Sequence, residues 1–293
     1  LVMNNLEFDH GDIFRDLQDI SRSFSHLLRI VPSDGFVLRN GDDPNLLALP
    51  NAPWTPIISV GVGEDNEFRI ADFTEDAYGS KFRLSWKGEP VMQVDWDMPG
   101  LFNARNLAMA TLASVLSQQI CEADDPFDIA SQNPFSGVSL PDFSECAGVK
   151  RRQEILHDSE QIVVLSDFAH HPTAVRETVH AIRERYAHGR LFAIFEPRSA
   201  TSSRAYFQAE YAKAFDSADR VVIAAVGKQN IPDDEKLDTE QLAKDTGGKN
   251  FESVDEIVTY LCQDAEPGDT LLFMSNGGFG GIYEKIENAL KER

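Results

Sequence analysis

Three uninterrupted apolar runs in the second half of the sequence constrain the fold more than any other feature. They occupy residues 191–195, 221–225 and 271–274. A strand that is apolar on both faces must be covered on both, as in a parallel sheet between two layers of helices. Segments with apolar residues at helical spacing separate the runs, which is typical of doubly wound α/β domains. We therefore predict a mostly parallel, Rossmann-like sheet here.

Strand and helix are predicted to alternate throughout this half. Pro172 suits the first position of a helix, where its missing N–H costs nothing, and Val175, Val179 and Ile182 recur on one face of that helix. The predicted strands are 161–166, 191–196, 219–225 and 270–275, and the predicted helices are 172–187, 203–215, 239–245, 253–262 and 280–291.

Polar residues follow three of these strands. Asp167 and His170 follow the first, Arg198 follows the second, and Ser275 and Asn276 open a glycine-rich turn after the last. Ligands of open α/β sheets bind outside the carboxyl ends of the strands, and a helix amino terminus attracts anions. These residues are therefore candidate ligand contacts. An ordinary capped turn and a solvent-facing arginine are the alternatives.

The first half has a different sequence pattern, which predicts short strands and turns between Gly35 and Gly100. Strands are predicted at 36–38, 57–62, 68–70, 82–86 and 91–96. Apolar and polar residues alternate over 82–86, which indicates a half-buried antiparallel ribbon. We interpret this region as scaffold, an α/β domain that includes an antiparallel ribbon.

Two asparagines stand at the start of the helix that follows. Asn103 and Asn106 are three residues apart and should face the same way. A side-chain amide donates and accepts hydrogen bonds together, as the edge of an adenine requires. Alternatively, Asn103 caps the helix.

A cluster of acidic residues surrounds one histidine near the start of the sequence. Glu7, Asp9, His10 and Asp12 precede a helical run that begins near Leu17. Such a group could bind Mg²⁺, which prefers oxygen ligands and keeps several waters. A solvated acidic turn before a helix is the alternative.

Residues 121–146 lose periodicity and contain prolines at 126, 134 and 141. This composition indicates a connection between domains. We predict two domains, residues 1–145 and 146–293.

The formal charge of −21 argues against nucleic acid and anionic membranes as partners. An anionic small ligand needs a local basic cluster, and Lys150-Arg151-Arg152 supplies one. The three cysteines form no C-x-x-C pattern, so we expect reduced thiols in a cytoplasmic protein. No apolar run approaches the roughly 20 residues of a membrane-spanning helix.

Four motifs, in order and spacing, resemble the Mur ligase family. They are N-x-E-x-D-H at 5–10, G-x-x-N-x-x-N at 100–106, G-V-K-R-R at 148–152 and D-F-A-H-H-P-T at 167–173. Members of this family are ATP-dependent, amide-forming ligases of bacterial cell-wall synthesis, with a UDP-sugar-binding domain, a central ATPase domain and a doubly wound C-terminal domain. The resemblance covers the later part of the central domain and the whole final domain.

The resemblance also implies cofactors and residue roles. ATP and Mg²⁺ are the expected cofactors. His10 is implied to be a Mg²⁺ ligand, and Asn103 and Asn106 are implied to lie near the adenine. Arg152 is implied to contact the γ-phosphate of the nucleotide and Asp167 its ribose. His170 is implied to orient substrate or handle its proton, and the implied substrate contacts are Arg198, Ser275 and Asn276.

Within the family, residues 195–199 and 274–281 are most similar to the branch that joins UDP-N-acetylmuramate to L-alanyl-γ-D-glutamyl-meso-diaminopimelate. The serine-rich run 199–203 stands where relatives that add L-alanine are usually richer in arginine, which fits a roomier pocket. Addition of L-alanine is one alternative function. A non-catalytic module that recognises a muropeptide or a nucleotide is another.

The sequence lacks the phosphate loop of the family, of the form G-x-x-G-K-[ST], and the UDP-binding domain. It also begins at Leu1 without an initiator methionine. We therefore expect it to be the C-terminal portion of a longer ligase, and we expect this portion alone not to hydrolyse ATP productively.

Overall fold

The computed structural model describes residues 1–121, 125–146, 148–159, 161–227 and 231–291. The chain divides into two compact units, Leu1–Cys146 and Ala147–Arg293. Among the described residues, each unit contains one six-stranded sheet. The predicted α/β fold class is confirmed, and both sheets are mostly parallel.

The first unit forms a mixed sheet in which the strand order follows the chain, β1-β2-β3-β4-β5-β6. The first four strands are parallel, and β5 and β6 pair antiparallel, as the predicted ribbon required. Its elements are β1 Val2–Met3, α1 Leu17–Arg29, β2 Val37–Asn40, α2 Pro44–Leu47, β3 Ile57–Gly61, β4 Phe68–Asp76, β5 Gly79–Trp86, β6 Glu89–Trp96, α3 Leu101–Gln119 and α4 Pro126–Ser131.

Two apolar layers stabilise this unit. Leu107 and Leu112 of α3 pack in one buried cluster with Phe82 of the ribbon. Ile20 of α1 and Val37 of β2 belong to a second buried cluster. Burying a large apolar side chain contributes about 1.5–3 kcal/mol, so these two layers fix where the sheet lies between its helices.

The second unit has the strand order β11-β10-β9-β12-β8-β7. All neighbours are parallel except β7, which pairs antiparallel with β8. Its elements are β7 Glu154–Asp158, β8 Ile162–Asp167, α5 Pro172–Arg185, β9 Leu191–Phe195, α6 Gln208–Ala214, β10 Arg220–Ala224, α7 Thr239–Asp245, β11 Lys249–Phe251, α8 Val254–Asp264, β12 Asp269–Met274 and α9 Ile282–Lys291.

Helices cover both faces of this second sheet. Apolar residues of α5, α6 and α7, such as Val179, Tyr211 and Leu242, pack on one face. Ile257 of α8 and Ile282 of α9 belong to the cluster on the other. The doubly wound arrangement predicted from the apolar runs is therefore confirmed.

Several predicted boundaries were wrong. The helix predicted at 203–215 is a 3-10 turn, Ala205–Phe207, followed by α6. Hydroxyl groups explain the late start, because Ser203 Oγ donates to the carbonyl of Ser199 and side chains that bond locally to the backbone compete with helix formation. The helix predicted at 280–291 likewise begins with a 3-10 turn, Phe279–Gly281. In the part of the chain that is described, no helix is long and apolar enough to cross a membrane.

Candidate active site

The carboxyl ends of β8, β12 and β9 lie side by side in the second unit. Met274 at the end of β12 is in register with Asp167 on one neighbour and with Phe195 on the other. Ser275 N donates to the Asp167 carbonyl at 3.1 Å, and Glu196 N donates to the Met274 carbonyl at 3.0 Å. The strand order therefore brings the three predicted polar motifs of this unit to one edge of the sheet, where open α/β sheets bind ligands.

Asp167 is buried, with 3% of its surface exposed. Its carboxylate accepts the backbone N–H groups of Ala169 at 2.7 Å and of Gln153 at 2.8 Å. Burial raises the pKa of Asp167 above its ordinary value, against the opposing effect of these hydrogen bonds and of the nearby Arg152 charge. The carboxylate therefore anchors the segment that carries Arg152. Its predicted contact with a ribose stays a prediction.

Arg152 is exposed, and its guanidinium carbon lies 4.9 Å from the centroid of the Phe168 ring. Arg151 approaches the same ring at 5.1 Å. A cation over an aromatic face is attracted by the electrons of the ring. Phe168 thus holds two cations beside the buried carboxylate, and Arg152 remains accessible to an anionic ligand.

His170 is partly buried and sits edge-on to Phe168, with the ring centroids 5.5 Å apart. Its Nδ1 lies 3.0 Å from the Phe168 carbonyl oxygen. Because a carbonyl can only accept, Nδ1 carries the hydrogen, and in the neutral ring the lone pair is then on Nε2. The next residue, His171, caps α5 by accepting the Thr173 N–H on Nδ1. Of the two histidines, His170 is the one suited to handling a proton.

The turn after β12 is organised by Ser275, which is fully buried. Its hydroxyl bonds to the Glu196 carboxylate and accepts the Gly277 N–H at 2.9 Å. Asn276 differs, because its buried Oδ1 has no hydrogen-bond partner among the residues that the structure describes. An unsatisfied buried acceptor costs about 1–3 kcal/mol. Asn276 is therefore a better candidate than Ser275 for direct contact with a substrate donor.

Arg198 is exposed and lies over the glycine-rich turn. A Cβ atom built on Gly277 would be 2.4 Å from Cδ and Nη1 of Arg198. The absence of a side chain at this position is what allows the close approach. Arg198 and the turn therefore form one surface to which the predicted substrate contacts belong.

In the first unit, helix α3 does not begin with Asn103 as its cap, which was one of the two interpretations of that residue. Gly100, at φ 98°, is the N-cap and supplies no side-chain bond, so Asn103 does not cap the helix. The buried Asn103 instead donates from Nδ2 to the Pro99 carbonyl at 2.7 Å. Asn106 is exposed and accepts a hydrogen bond from Nδ2 of Asn4. This bond joins the residue just before the first motif to the second motif. The adenine contacts remain predictions.

The four residues of the first segment that could have formed a metal site do not form one. Within the described ranges, no group of three or more His, Cys, Asp or Glu side chains is placed to bind a metal. The carbonyl of His10 accepts the N–H groups of Ile13 and Phe14 in a tight turn, and its side chain is 66% exposed. Glu7 accepts a hydrogen bond from Asn5 at 2.9 Å. These residues are therefore close in sequence but do not form a shared metal site. His10 stays a single candidate ligand.

Two features of the structure were missed in the sequence. Arg151 donates from Nη2 to the carbonyls of Ser275 and Gly277. Its place in the basic run 150–152 was the available signal, but nothing in the run distinguishes an arginine that bonds to the protein from one that binds a ligand.

The second missed feature is Asp42, which follows β2. Its carboxylate accepts the N–H groups of Val62 and Gly63, a side-chain N–H of Asn66 and Arg105 Nη2, at 2.8–3.2 Å. Burial opposes ionisation, but these bonds hold the pKa of Asp42 below its ordinary value. Asp42 thereby joins the loop after β3 to the helix that carries Asn106. The available signal was the aspartate pair Asp42-Asp43 that follows the strand.

Each of the two units matches a known protein domain, and the two domains belong to the same family of proteins. The profile described as "Mur ligase middle domain" matches residues 1–114, and the one described as "Mur ligase, glutamate ligase domain" matches residues 151–277. A crystal structure of a murein peptide ligase from Psychrobacter arcticus is 27% identical, with a TM-score of 0.62, and the match covers 100% of this chain and 57% of that one. A UDP-N-acetylmuramate–alanine ligase of Thermotoga maritima, 19% identical, shares the fold with a TM-score of 0.71 over 99% of this chain and 59% of that one.

Curated relatives extend the match to the level of sequence. The UDP-N-acetylmuramate–L-alanyl-γ-D-glutamyl-meso-2,6-diaminoheptandioate ligase of Haemophilus influenzae is 32% identical over 99% of this chain. The Escherichia coli protein of the same name is 32% identical over 100%. The chain spans 60% of the length of each. With both domain profiles matched and relatives of this identity along the whole chain, the chain belongs to the Mur ligase family.

Proposed function

We propose that the protein containing this chain uses ATP to join UDP-N-acetylmuramate to the tripeptide L-alanyl-γ-D-glutamyl-meso-diaminopimelate, in the recycling of cell-wall peptides. The observation that carries the proposal is the strand-end site of the second unit, where the exposed Arg152 is held against Phe168 and anchored through Asp167. The names of the Haemophilus and Escherichia relatives, which are 32% identical, support the choice of substrates.

Amide formation from a carboxylate requires activation, and an acyl phosphate provides it. The γ-phosphoryl group of ATP passes to the carboxylate of UDP-N-acetylmuramate and ADP leaves. Charge on the transferred phosphoryl group is stabilised by fixed cations. Arg152 fits this role because it is exposed and directly precedes Gln153, whose N–H is bound by Asp167. Asp167 and Phe168 keep it in place without competing for the phosphate.

The amine of the tripeptide then attacks the acyl carbon, loses a proton and expels phosphate. Nε2 of His170 is suited to accept that proton, since Nδ1 donates to the Phe168 carbonyl. Asn276 and Arg198 offer an acceptor and a cation for the polar groups of the peptide. Ser275 acts indirectly, by holding the turn through Glu196.

Magnesium is the cofactor expected for phosphoryl transfer, but the described residues do not form a magnesium site on their own. Mg²⁺ prefers oxygen ligands and keeps several waters, so one exposed imidazole at His10 is not sufficient. We assign no step to the metal through this chain. His10 is proposed only as one ligand among others that the nucleotide supplies.

The test uses the full-length protein with ATP, Mg²⁺ and UDP-N-acetylmuramate. Phosphate release and the mass of the product are measured with the tripeptide, with L-alanine and with no acceptor. Tripeptide-dependent release with a product of the summed mass is the expected result. Release with L-alanine alone would assign the protein to alanine addition. Binding of nucleotide or muropeptide without any turnover would make it a non-catalytic module.

A further inference from the structure

Arg151 connects two segments of the candidate active site that are far apart in the sequence. From the segment before β7, its Nη2 donates to the carbonyl of Gly277 at 2.6 Å and to the carbonyl of Ser275. Hydrogen bonds from a charged donor are stronger than those from a neutral one. Because these two bonds go to backbone, Arg151 constrains the course of the turn itself, whatever side chains the turn carries.

The backbone around Arg151 is held from its own side as well. Arg151 and Gln153 both have positive φ, 59° and 50°, which side-chain-bearing residues adopt only where the surroundings impose it. The Arg151 N–H donates to Glu154 at 2.8 Å, and the Gln153 N–H donates to Asp167 at 2.8 Å. Arg152 therefore stands between two fixed residues, and the Asp167 bond does not depend on the Arg151 side chain.

The neighbouring arginines have different environments. Arg152 is exposed, whereas Arg151 is half-buried and commits its Nη2 to the turn. Both guanidinium groups lie about 5 Å from the Phe168 ring centroid, at 5.1 Å for Arg151 and 4.9 Å for Arg152. The two side chains share one support, and the hydrogen bonds to the turn are what distinguishes Arg151.

We propose that Arg151 is a positioning residue for the acceptor peptide: it holds the Ser275–Gly278 turn in the shape that binds the peptide, while Arg152 acts on phosphate. The inference rests on the proposed function for its kinetic consequence. Without Arg151, a turn that contains two consecutive glycines loses two backbone restraints, so binding the acceptor must restore the order of the turn. Arg152 stays anchored through Gln153 and Asp167.

The first experiment needs no substrate. Amide hydrogen exchange of the peptide covering residues 275–281 is compared in the full-length wild-type protein and in Arg151→Met, which keeps the aliphatic stem and removes the donors. Exchange at least about tenfold faster is expected, because local opening becomes easier. Arg152→Met is the matched control and should exchange like the wild type. Unchanged exchange in Arg151→Met would overturn the inference.

The second experiment separates KM from kcat in Arg151→Met and in two further variants. For Arg151→Met, we expect KM for the tripeptide to rise about tenfold or more while kcat and KM for ATP stay within about threefold. Arg151→Lys restores one charged donor and should recover part of the loss. Arg176→Met, an exposed arginine on α5 paired with Glu177, should match the wild type.

The outcomes distinguish this inference from the proposed function. A fall in kcat with no change in KM for the tripeptide would move Arg151 to the phosphate and overturn the positioning role. A wild-type protein inactive with the tripeptide would refute the proposed function, and the exchange measurement would still decide whether Arg151 holds the turn.

Discussion

Arg190 and Asp269 form an ion pair at the amino-terminal edge of the second sheet, at the opposite ends of β9 and β12 from the candidate active site. Arg190 Nη2 lies 2.6 Å from Asp269 Oδ2, and Nε lies 3.2 Å from both carboxylate oxygens. The carboxylate also accepts the N–H groups of Arg190 at 3.0 Å and of Glu266 at 2.8 Å. The pair therefore joins the starts of two adjacent strands.

This pair predicts a pH-dependent contribution to stability. Burial alone would raise the pKa of Asp269, but the bonds from Arg190 and Glu266 outweigh it and hold that pKa below the ordinary value, which is about 3.9. For a carboxyl with a lowered pKa, the stabilisation is present above the unfolded pKa and is lost as the pH falls through the folded pKa. We expect Asp269→Asn to lower the free energy of unfolding by about 1.5–3 kcal/mol at pH 7, with a smaller difference at pH 3.

The measurement is urea unfolding at pH 7, 5 and 3. Trp54, Trp86 and Trp96, the only tryptophans of the sequence, all lie in the first unit, so circular dichroism is required to follow the second. Glu266→Gln is the control, because that side chain is 74% exposed and 3.7 Å from Arg190. A difference between Asp269→Asn and wild type that does not shrink in acid would contradict the prediction.

Asp42 offers the corresponding test in the first unit. Asp42→Ala removes the acceptor for Val62, Gly63, Asn66 and Arg105 together. We expect a loss of about 2–3 kcal/mol, because four donors, three of them at least partly buried, lose their shared charged acceptor. Tryptophan fluorescence during urea unfolding reports this unit. Glu64→Ala, with a side chain 88% exposed, should change stability by less than about 0.5 kcal/mol, and an equal effect of both variants would contradict the role of Asp42.

Arg152 provides a test of phosphoryl transfer. In the full-length protein, Arg152→Ala should lower turnover by about 10²–10³-fold, since it removes a cation from the transition state. Stability should stay close to wild type because Arg152 is exposed. Steady-state phosphate release measures the change, and Arg176→Ala is a control of the same charge change. Turnover at the wild-type rate would exclude Arg152 from contact with the γ-phosphate.

The fold was predictable wherever apolar periodicity decides it. The uninterrupted run in β9 and the helical spacing of Val175 and Val179 specify a buried strand and a helix that covers it. Strands β7 and β11 were not predicted, because edge strands carry no clear apolar pattern. They are short strands at the two edges of the sheet, and an edge strand such as β7, with Ile155 44% exposed, lacks the burial that creates a pattern.

The candidate site was predictable as a location and less so as a set of contacts. The predicted ends of the strands identify the residues at the carboxyl edge of the sheet, because parallel strands share that edge. Sequence could not tell that Ser275 turns inward to Glu196 while Asn276 keeps an unsatisfied oxygen. Nor could it tell Arg151 from Arg152. Those differences depend on the backbone conformation of two turns, which local residue types do not determine.

Gly277 and Gly278 give the last test, because adjacent glycines have different surroundings. A Cβ on Gly277 would meet the Arg198 side chain at 2.4 Å, whereas one on Gly278 would meet nothing within 4 Å. Since the obstructed atoms belong to a flexible side chain, Gly277→Ala should displace Arg198 and leave stability within about 0.5 kcal/mol. If Arg198 binds the acceptor, KM for the tripeptide should rise about tenfold in Gly277→Ala and stay at the wild-type value in Gly278→Ala.

A double-mutant cycle identifies the cause of any effect. If the added methyl group acts only through Arg198, then Gly277→Ala adds nothing once Arg198→Met is present. The KM for the tripeptide should therefore be the same in Arg198→Met and in the double variant. Additive effects of the two substitutions would show that the methyl group disturbs the turn independently of Arg198. An unchanged KM for the tripeptide in Arg198→Met alone would remove Arg198 as a contact for the acceptor.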